Sequence, residues 1–173
     1  MKTSNELPPL EKINRLLSYD PKTGDFLWKV KPSRRINQGS IAGNIDLNGY
    51  RRIRIDKKSY YAHRIAWLIS TGSPPPRNID HKNGVRSDNR ILNLRVASSS
   101  ENAWNLIPRE TSTSGYKGVH AHKLCKKFYG KVCKNYRQHH TKLFDTAAEA
   151  CIALKSLRQD LHGKFTNHGK LTP

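Results

Sequence analysis

Apolar side chains at positions 10, 13, 16 and 17 fall on one side of a helical period, which predicts a short helix over residues 10–17. Pro21 and Gly24 punctuate a turn after it, and Phe26, Leu27, Trp28 and Val30 read as a strand over 26–30. Residues 50–55 alternate, with Arg51, Ile53 and Ile55 on one side and Tyr50, Arg52 and Arg54 on the other. Asp56, Lys57 and Lys58 turn the chain into 59–62, so the pair is a hairpin with one Arg-rich face. The period becomes helical over 63–70 and stops at Thr71, Gly72 and the prolines at 74–76, which cannot continue a helix.

A polar stretch over 108–114 reads as a linker. Beyond it the pattern gives three short strands, 116–122, 128–134 and 139–144, separated by basic or polar turns. Thr146 and Glu149 then stand at capping-box spacing before an amphipathic helix. The expected fold class is α+β in two parts: residues 1–107, and residues 115–173 as a small three-stranded antiparallel sheet packed on one helix.

Composition narrows the function. The 173 residues suffice for one ordinary domain or two small ones, and 32 Lys+Arg against 13 Asp+Glu leave a net charge of +19. Residues 1–109 hold 20 basic and 9 acidic side chains, so neither half alone carries the excess. Aromatics from Trp28 to Phe144 are dispersed, unlike a disordered basic tail. Such a charge points to a polyanion, with nucleic acid ahead of a membrane surface. A ribosomal-type or histone-like protein would explain the charge equally well. The most apolar stretch, 65–69, is far too short to cross a bilayer, and the expectation is a soluble, cytoplasmic protein with no membrane partner. Cys125, Cys133 and Cys151 form no disulfide framework and no C-x-x-C pair.

The chemistry concentrates in 77–102. Ile79 ends a strand, Asp80 and His81 stand where the chain leaves it, and 82–89 is rich in turn formers. Residues 94–97 return as a second strand, and Ser98 with Glu101 marks a helix start that carries Asn102. Strand, loop, strand and helix would bring a carboxylate, an imidazole and a carboxamide together. Asp80 and Asn102 offer oxygen ligands to a hard divalent cation. His81 beside them could take a proton from an attacking water.

Tyr61-Ala62-His63-Arg64, Ile79-Asp80-His81, Gly84, Asp88-Asn89-Arg90, Asn93-Leu94-Arg95 and Glu101-Asn102 together resemble the ββα-metal (His-Me finger) motif of HNH endonucleases, in particular the phage homing type. The motif would occupy about 77–106. The resemblance implies His81 as general base, Asp80 and Asn102 as metal ligands, and Asn93 as the residue that hydrogen-bonds across the loop to fix the His. The last motif position, often His, is Asn102 here, which favours Mg²⁺ or Mn²⁺ over Zn²⁺. Arg86, Arg90 and Arg95 surround this site and either grip the scissile strand or form a solvated rim. His63 reads as a structural hydrogen-bonding residue ahead of a phosphate contact.

Residues 114–169 resemble the ethylene-response-factor type DNA-binding domain through Ser114-Gly115-Tyr116-Lys117-Gly118-Val119, Phe128-Tyr129-Gly130-Lys131-Val132, Phe144-Asp145-Thr146-Ala147-Ala148-Glu149-Ala150 and Leu161-His162-Gly163-Lys164-Phe165. The resemblance implies a sheet laid in the DNA major groove with a helix behind it. Lys117, His120 and His122 stand where Arg is usual and Lys142 where Gly is usual, so the base preference does not carry over. A zinc site among His120, His122, Cys125, Cys133, His139 and His140 fits no closed finger spacing.

These readings combine into an expectation: a metal-dependent, site-preferring endonuclease acting on double-stranded DNA, leaving 5′-phosphate and 3′-hydroxyl ends and needing no small-molecule cofactor. The expected DNA contacts are Arg51, Arg52 and Arg54 on the hairpin, Arg86, Arg90 and Arg95 around the motif, and Lys117, His120, His122, Lys126, Lys127, Lys131, Arg137 and Lys142 in the C-terminal part. A monomer with one site would nick, whereas a homodimer would cut both strands. The competing readings are a DNA-binding regulator with an inactive nuclease motif, and a non-specific packaging or host-degrading phage nuclease.

Overall fold

The computed structural model describes residues 6–105, 114–166 and 168, so most of the expected linker lies outside the described residues. The chain is mixed α/β with small antiparallel sheets and divides into two compact units, 1–99 and 100–173, earlier than the expected linker.

In the first unit α1 (Leu10–Leu16) leads directly into β1 (Leu17–Tyr19), because Leu17 adopts extended backbone and pairs with Trp28. The expected helix therefore ends one residue early. β2 (Phe26–Trp28) is shorter than the expected strand, and β3 (Asn44–Ile45) pairs with β4 (Arg51–Ile55). β4 forms the expected hairpin with β5 (Lys58–Tyr61). Asp56 and Lys57 both take positive φ (47° and 63°), the primed-turn geometry whose twist suits a two-residue hairpin. Ile53 and Ile55 point inward while Arg54 is exposed, so the alternation sorts as read.

α2 (Ala62–Thr71) follows β5 without a break and ends at Gly72 in the left-handed conformation. Ala62, Ile65, Ala66 and Leu68 bury against Ile13, Leu17, Phe26 and Ile53. This core holds the N-terminal turn of α2 in place beside the next hairpin, β6 (Asn78–His81) and β7 (Leu94–Ala97). Helix α3 (Ser99–Trp104) begins immediately afterwards.

In the second unit β8 (Val119–Ala121), β9 (Phe128–Lys134) and β10 (Arg137–His140) form one antiparallel sheet with β9 central. α4 (Ala147–His162) starts with a complete capping box: Thr146 Oγ1 accepts from Glu149 N, and Glu149 Oε2 accepts from Thr146 N. Its Ala150, Cys151 and Leu154 pack on Val119 and Val132. Gly130 is required at this contact, because a Cβ there would lie 2.6 Å from Leu154 Cβ. Among the described residues no helix is long and apolar enough to cross a membrane.

Candidate active site

The register of β6 and β7 sets Asp80 directly opposite Arg95. Arg95 donates from Nε (2.7 Å) and holds Nη2 2.6 Å from the same carboxylate oxygen, Oδ2. Asp80 is buried, so this is a charge-assisted contact shielded from water. His81, the last residue of β6, is equally buried and introduces the loop 82–90.

Short polar contacts within the loop and its flanks fix its path. Gly84 N–H donates to His81 O, and Val85 N–H donates to Asn83 Oδ1. Asn93 closes the loop: its Oδ1 accepts from Asn83 N at 3.1 Å, its Nδ2 donates to Asp88 O at 2.9 Å, and its carbonyl accepts from Lys82 N. Asp88 accepts from Asn83 Nδ2 and from Arg90 Nε, and the Arg90 contacts hold its carboxyl down at about 2.

One side chain that meets His81 is that of Asn89, which was not among the expected site residues. Its Oδ1 lies 3.5 Å from His81 Nε2, and its Nδ2 donates to Ser87 O at 3.0 Å, which orients the amide oxygen toward the ring. Asn93 therefore fixes the loop, while Asn89 contacts the imidazole. Asn89 is only 1% exposed, and its carbonyl accepts from the Tyr19 hydroxyl at 2.8 Å. A buried Asn between Asp88 and Arg90 is the sequence signal, but its role depends on contacts from residues far away in the chain.

Three aromatic rings complete the cage. His63, in the first turn of α2, stands edge-on to His81 with centroids 5.1 Å apart, and Tyr50 lies 6.0 Å from His81. Tyr61 stacks on His63 at 5.3 Å. Burial pushes the His63 imidazole down to about 3, helped by repulsion from His81, and its Nδ1 is buried with no hydrogen-bond partner among the described residues. Burial also lowers the His81 pKa; the Asn89 contact and the Asp80 and Asp88 carboxylates oppose that shift. Both rings are therefore held neutral at neutral pH.

The expected arginines divide by what they touch. Arg86 covers the Tyr50 ring and donates to Asn48 O, and Arg52 covers the Tyr61 ring. Arg51 reaches Gly43 O, and Arg54 is exposed. Arg90, which is exposed, pairs with Asp88, and the more buried Arg95 pairs with Asp80. Asn102 is half-buried on α3, in the second unit.

In the second unit Tyr129 is ringed by His120 (5.7 Å), His122 (6.3 Å) and His140 (5.6 Å). Lys126 and Arg137 are exposed, while Lys131 is half-buried on the central strand. Lys127 pairs with Asp145 at 3.0 Å, and Lys142 lies over the Phe144 ring. Lys117 departs from the expected DNA face: it is half-buried and donates to Trp104 O. Among the described residues no three His, Cys, Asp or Glu side chains are grouped to hold a metal ion.

Residues 60–104 match the family model described as HNH endonuclease. Over 105 residues the chain is 32% identical to Protein 3.8 of Escherichia phage T7, a match covering 60% of this chain and 85% of that protein. This chain carries an HNH endonuclease domain. No solved structure matches it. The HNH span runs from β5 through α3 and contains His63, Asp80, His81, Asn89 and Asn93, whereas Tyr19 and Tyr50 reach the cage from outside it. HNH nucleases typically depend on a divalent metal. The donor chemistry suits a hard ion, because Asp80 presents an oxygen donor, a buried carboxylate.

Proposed function

We propose that this protein is a metal-dependent DNA endonuclease that hydrolyses phosphodiester bonds to 5′-phosphate and 3′-hydroxyl ends. The observation that carries the reading is a buried His81, held neutral and pressed between His63, Tyr50 and Asn89, immediately after the Asp80 carboxylate. A neutral imidazole can accept a proton from water at physiological pH, which an imidazolium cannot. With Nε2 protonated toward the Asn89 amide oxygen 3.5 Å away, Nδ1 would be the nitrogen that removes the proton from water. Asn93 keeps the loop closed so that the ring does not drift from the reacting phosphate.

A bound Mg²⁺ or Mn²⁺ supplies Lewis-acid stabilisation of the charge that builds on the phosphate and the leaving oxygen. Asp80 is the residue that would hold it, and the family resemblance assigns Asn102 to the same ion. Arg95 holds the Asp80 carboxylate in position across the β6–β7 pair. Site preference belongs to the C-terminal sheet in this reading, where Tyr129 and the His120, His122 and His140 rings, with Lys131 and Arg137, offer stacking and charge to DNA. This is the homing-type reading of the chain.

Incubation of supercoiled plasmid and phage genomic DNA with the protein, with and without EDTA, tests it. Mg²⁺-dependent nicked or linear product is expected, together with a loss of cutting in His81→Ala by about 10² to 10⁴. Sequence-selective binding with no cutting under any divalent ion would identify a regulator with an inactive nuclease motif. Cut ends scattered without preference would remove the site-reading role of the sheet.

A further inference from the structure

Behind the β8–β10 sheet the second unit contains a cavity of about 450 Å³, bordered by Trp104, Lys117, Asn135, Tyr136, Arg158 and His162. Its walls are cationic and aromatic, and the described residues that line it include no carboxylate. Arg158 is the anomaly. It is 3% exposed, one guanidinium nitrogen donates to Lys117 O, and another, Nη1, is buried with no hydrogen-bond partner among the described residues. Guanidinium cannot shed its proton to escape burial, so a buried arginine without an acid is costly unless something anionic answers it. Gly118 leaves the room this requires, since a Cβ there would lie 2.6 Å from Arg158 Nη2.

A second cation lies beside it. Lys117 is half-buried and donates to Trp104 O, and burial together with repulsion from Arg158 pushes its ammonium down to about 8. Trp104 stacks flat on His162, with centroids 4.1 Å apart and planes within 2°, and His162 is anchored to Cys133 O at 3.1 Å. A flat aromatic wall next to two clustered cations is the chemistry that takes a phosphate carried on a stackable base.

We propose that this cavity binds a nucleotide phosphate, with Arg158 and Lys117 as the phosphate contacts and Trp104 as the stacking wall. The phosphate could belong to a free anion or to the 5′ end of a DNA strand, and the chemistry of recognition is shared. The site is independent of the cutting chemistry, so it is tested by binding in EDTA.

Isothermal titration of the full chain uses three probes: inorganic pyrophosphate, a short single strand with a 5′-phosphate, and the same strand with a 5′-hydroxyl. If DNA ends are the source, the phosphorylated strand binds about tenfold tighter than its hydroxyl twin, equivalent to about 1.4 kcal/mol. If a free anion is the source, pyrophosphate binds and the two strands are indistinguishable. In either case Arg158→Gln and Lys117→Gln abolish the discrimination or the pyrophosphate signal. Should Arg158→Gln fail to fold, Lys117→Gln with an unshifted thermal midpoint decides alone. Tryptophan emission in a Trp28→Phe, Trp67→Phe background, which leaves only Trp104, reports whether the ligand sits in the cavity. Absence of both pyrophosphate binding and 5′-phosphate discrimination overturns the proposal. Signals that survive unchanged in Lys117→Gln also overturn it, because they would arise from the diffuse +19 charge.

Discussion

Asn89 shows how one side chain links folding to chemistry. Three separate contacts meet on it: Tyr19 at its carbonyl, Ser87 at its amide nitrogen and His81 at its amide oxygen. Gly24 supports the same spot from the β1–β2 turn. It has φ +81°, and a Cβ there would lie 2.5 Å from Arg90 N and 2.7 Å from the carbonyl carbon of Asn89. Gly24→Ala therefore has to displace the Asn89–Arg90 backbone as well as strain its own. Its expected effect is a stability loss of roughly 1–3 kcal/mol by denaturant unfolding, with reduced cutting by the folded fraction. Asn89→Ala separates the two effects. It leaves the backbone in place but frees His81 to rotate, so single-turnover cutting should fall on the order of a hundredfold while DNA affinity holds. An unchanged single-turnover rate would remove Asn89 from the site. The strand–loop–strand pattern singled out Asp80 and His81, and the family resemblance singled out Asn93, because those residues are local to one hairpin. The sequence could not assign Asn89 to the ring, because Tyr19 and Gly24, which hold it, come from a distant turn.

At the scale of elements, local signals were the legible ones. The Thr146–Glu149 capping box formed as read, the primed turn at Asp56–Lys57 set the hairpin register, and Gly72 with the following prolines ended α2. Thr146→Ala should cost about 1 kcal/mol of stability in the second unit, measurable as a lower thermal midpoint. The placement of α2 was less legible, because its first turn is positioned by core packing of Ile65 and Ala66 against residues near Ile13 and Phe26. That packing buries His63, and the burial carries a pH consequence. The folded His63 pKa is about 3 against an ordinary 6.5, so the unfolded chain binds a proton that the folded chain refuses. Stability is unaffected above the unfolded value and declines as pH falls from 6.5 toward 3, by about 1.4 kcal/mol per pH unit while the difference lasts. His81, also lowered, adds in the same direction. Urea midpoints measured at pH 7, 6, 5 and 4 should fall steadily in the wild type and fall less steeply in His63→Phe, which keeps a ring but cannot be protonated. Parallel pH dependence in the two proteins would show that the burial of His63 does not set the acid limit.

For the molecule as a whole, the excess positive charge has to be weighed against what each cation already touches. Arg90, Arg95 and Lys127 are paired with Asp88, Asp80 and Asp145, so they contribute less to DNA attraction than their number suggests. Lys117 is withdrawn into the second unit. Exposed cations such as Arg54, Lys126 and Arg137 remain to meet phosphates, and their effect is separable from the cutting chemistry. Removing one cation that meets a phosphate should flatten the plot of log affinity against log salt by about 0.9 units. Lys126→Gln with Arg137→Gln is therefore expected to lower the slope by roughly 2 units, while single-turnover cutting at saturating protein keeps its rate. Lys127→Gln should change the slope less, because Asp145 already neutralises that ammonium. Asp80→Asn should do the opposite, abolishing cutting with the salt slope intact, since it removes a buried carboxylate that no phosphate meets directly. Filter binding over a salt series, paired with single-turnover cleavage of the same variants, reads both quantities. If Lys126→Gln with Arg137→Gln left the slope unchanged, the C-terminal sheet would not lie against DNA, and the attraction would have to come from the Arg52–Arg54 hairpin instead.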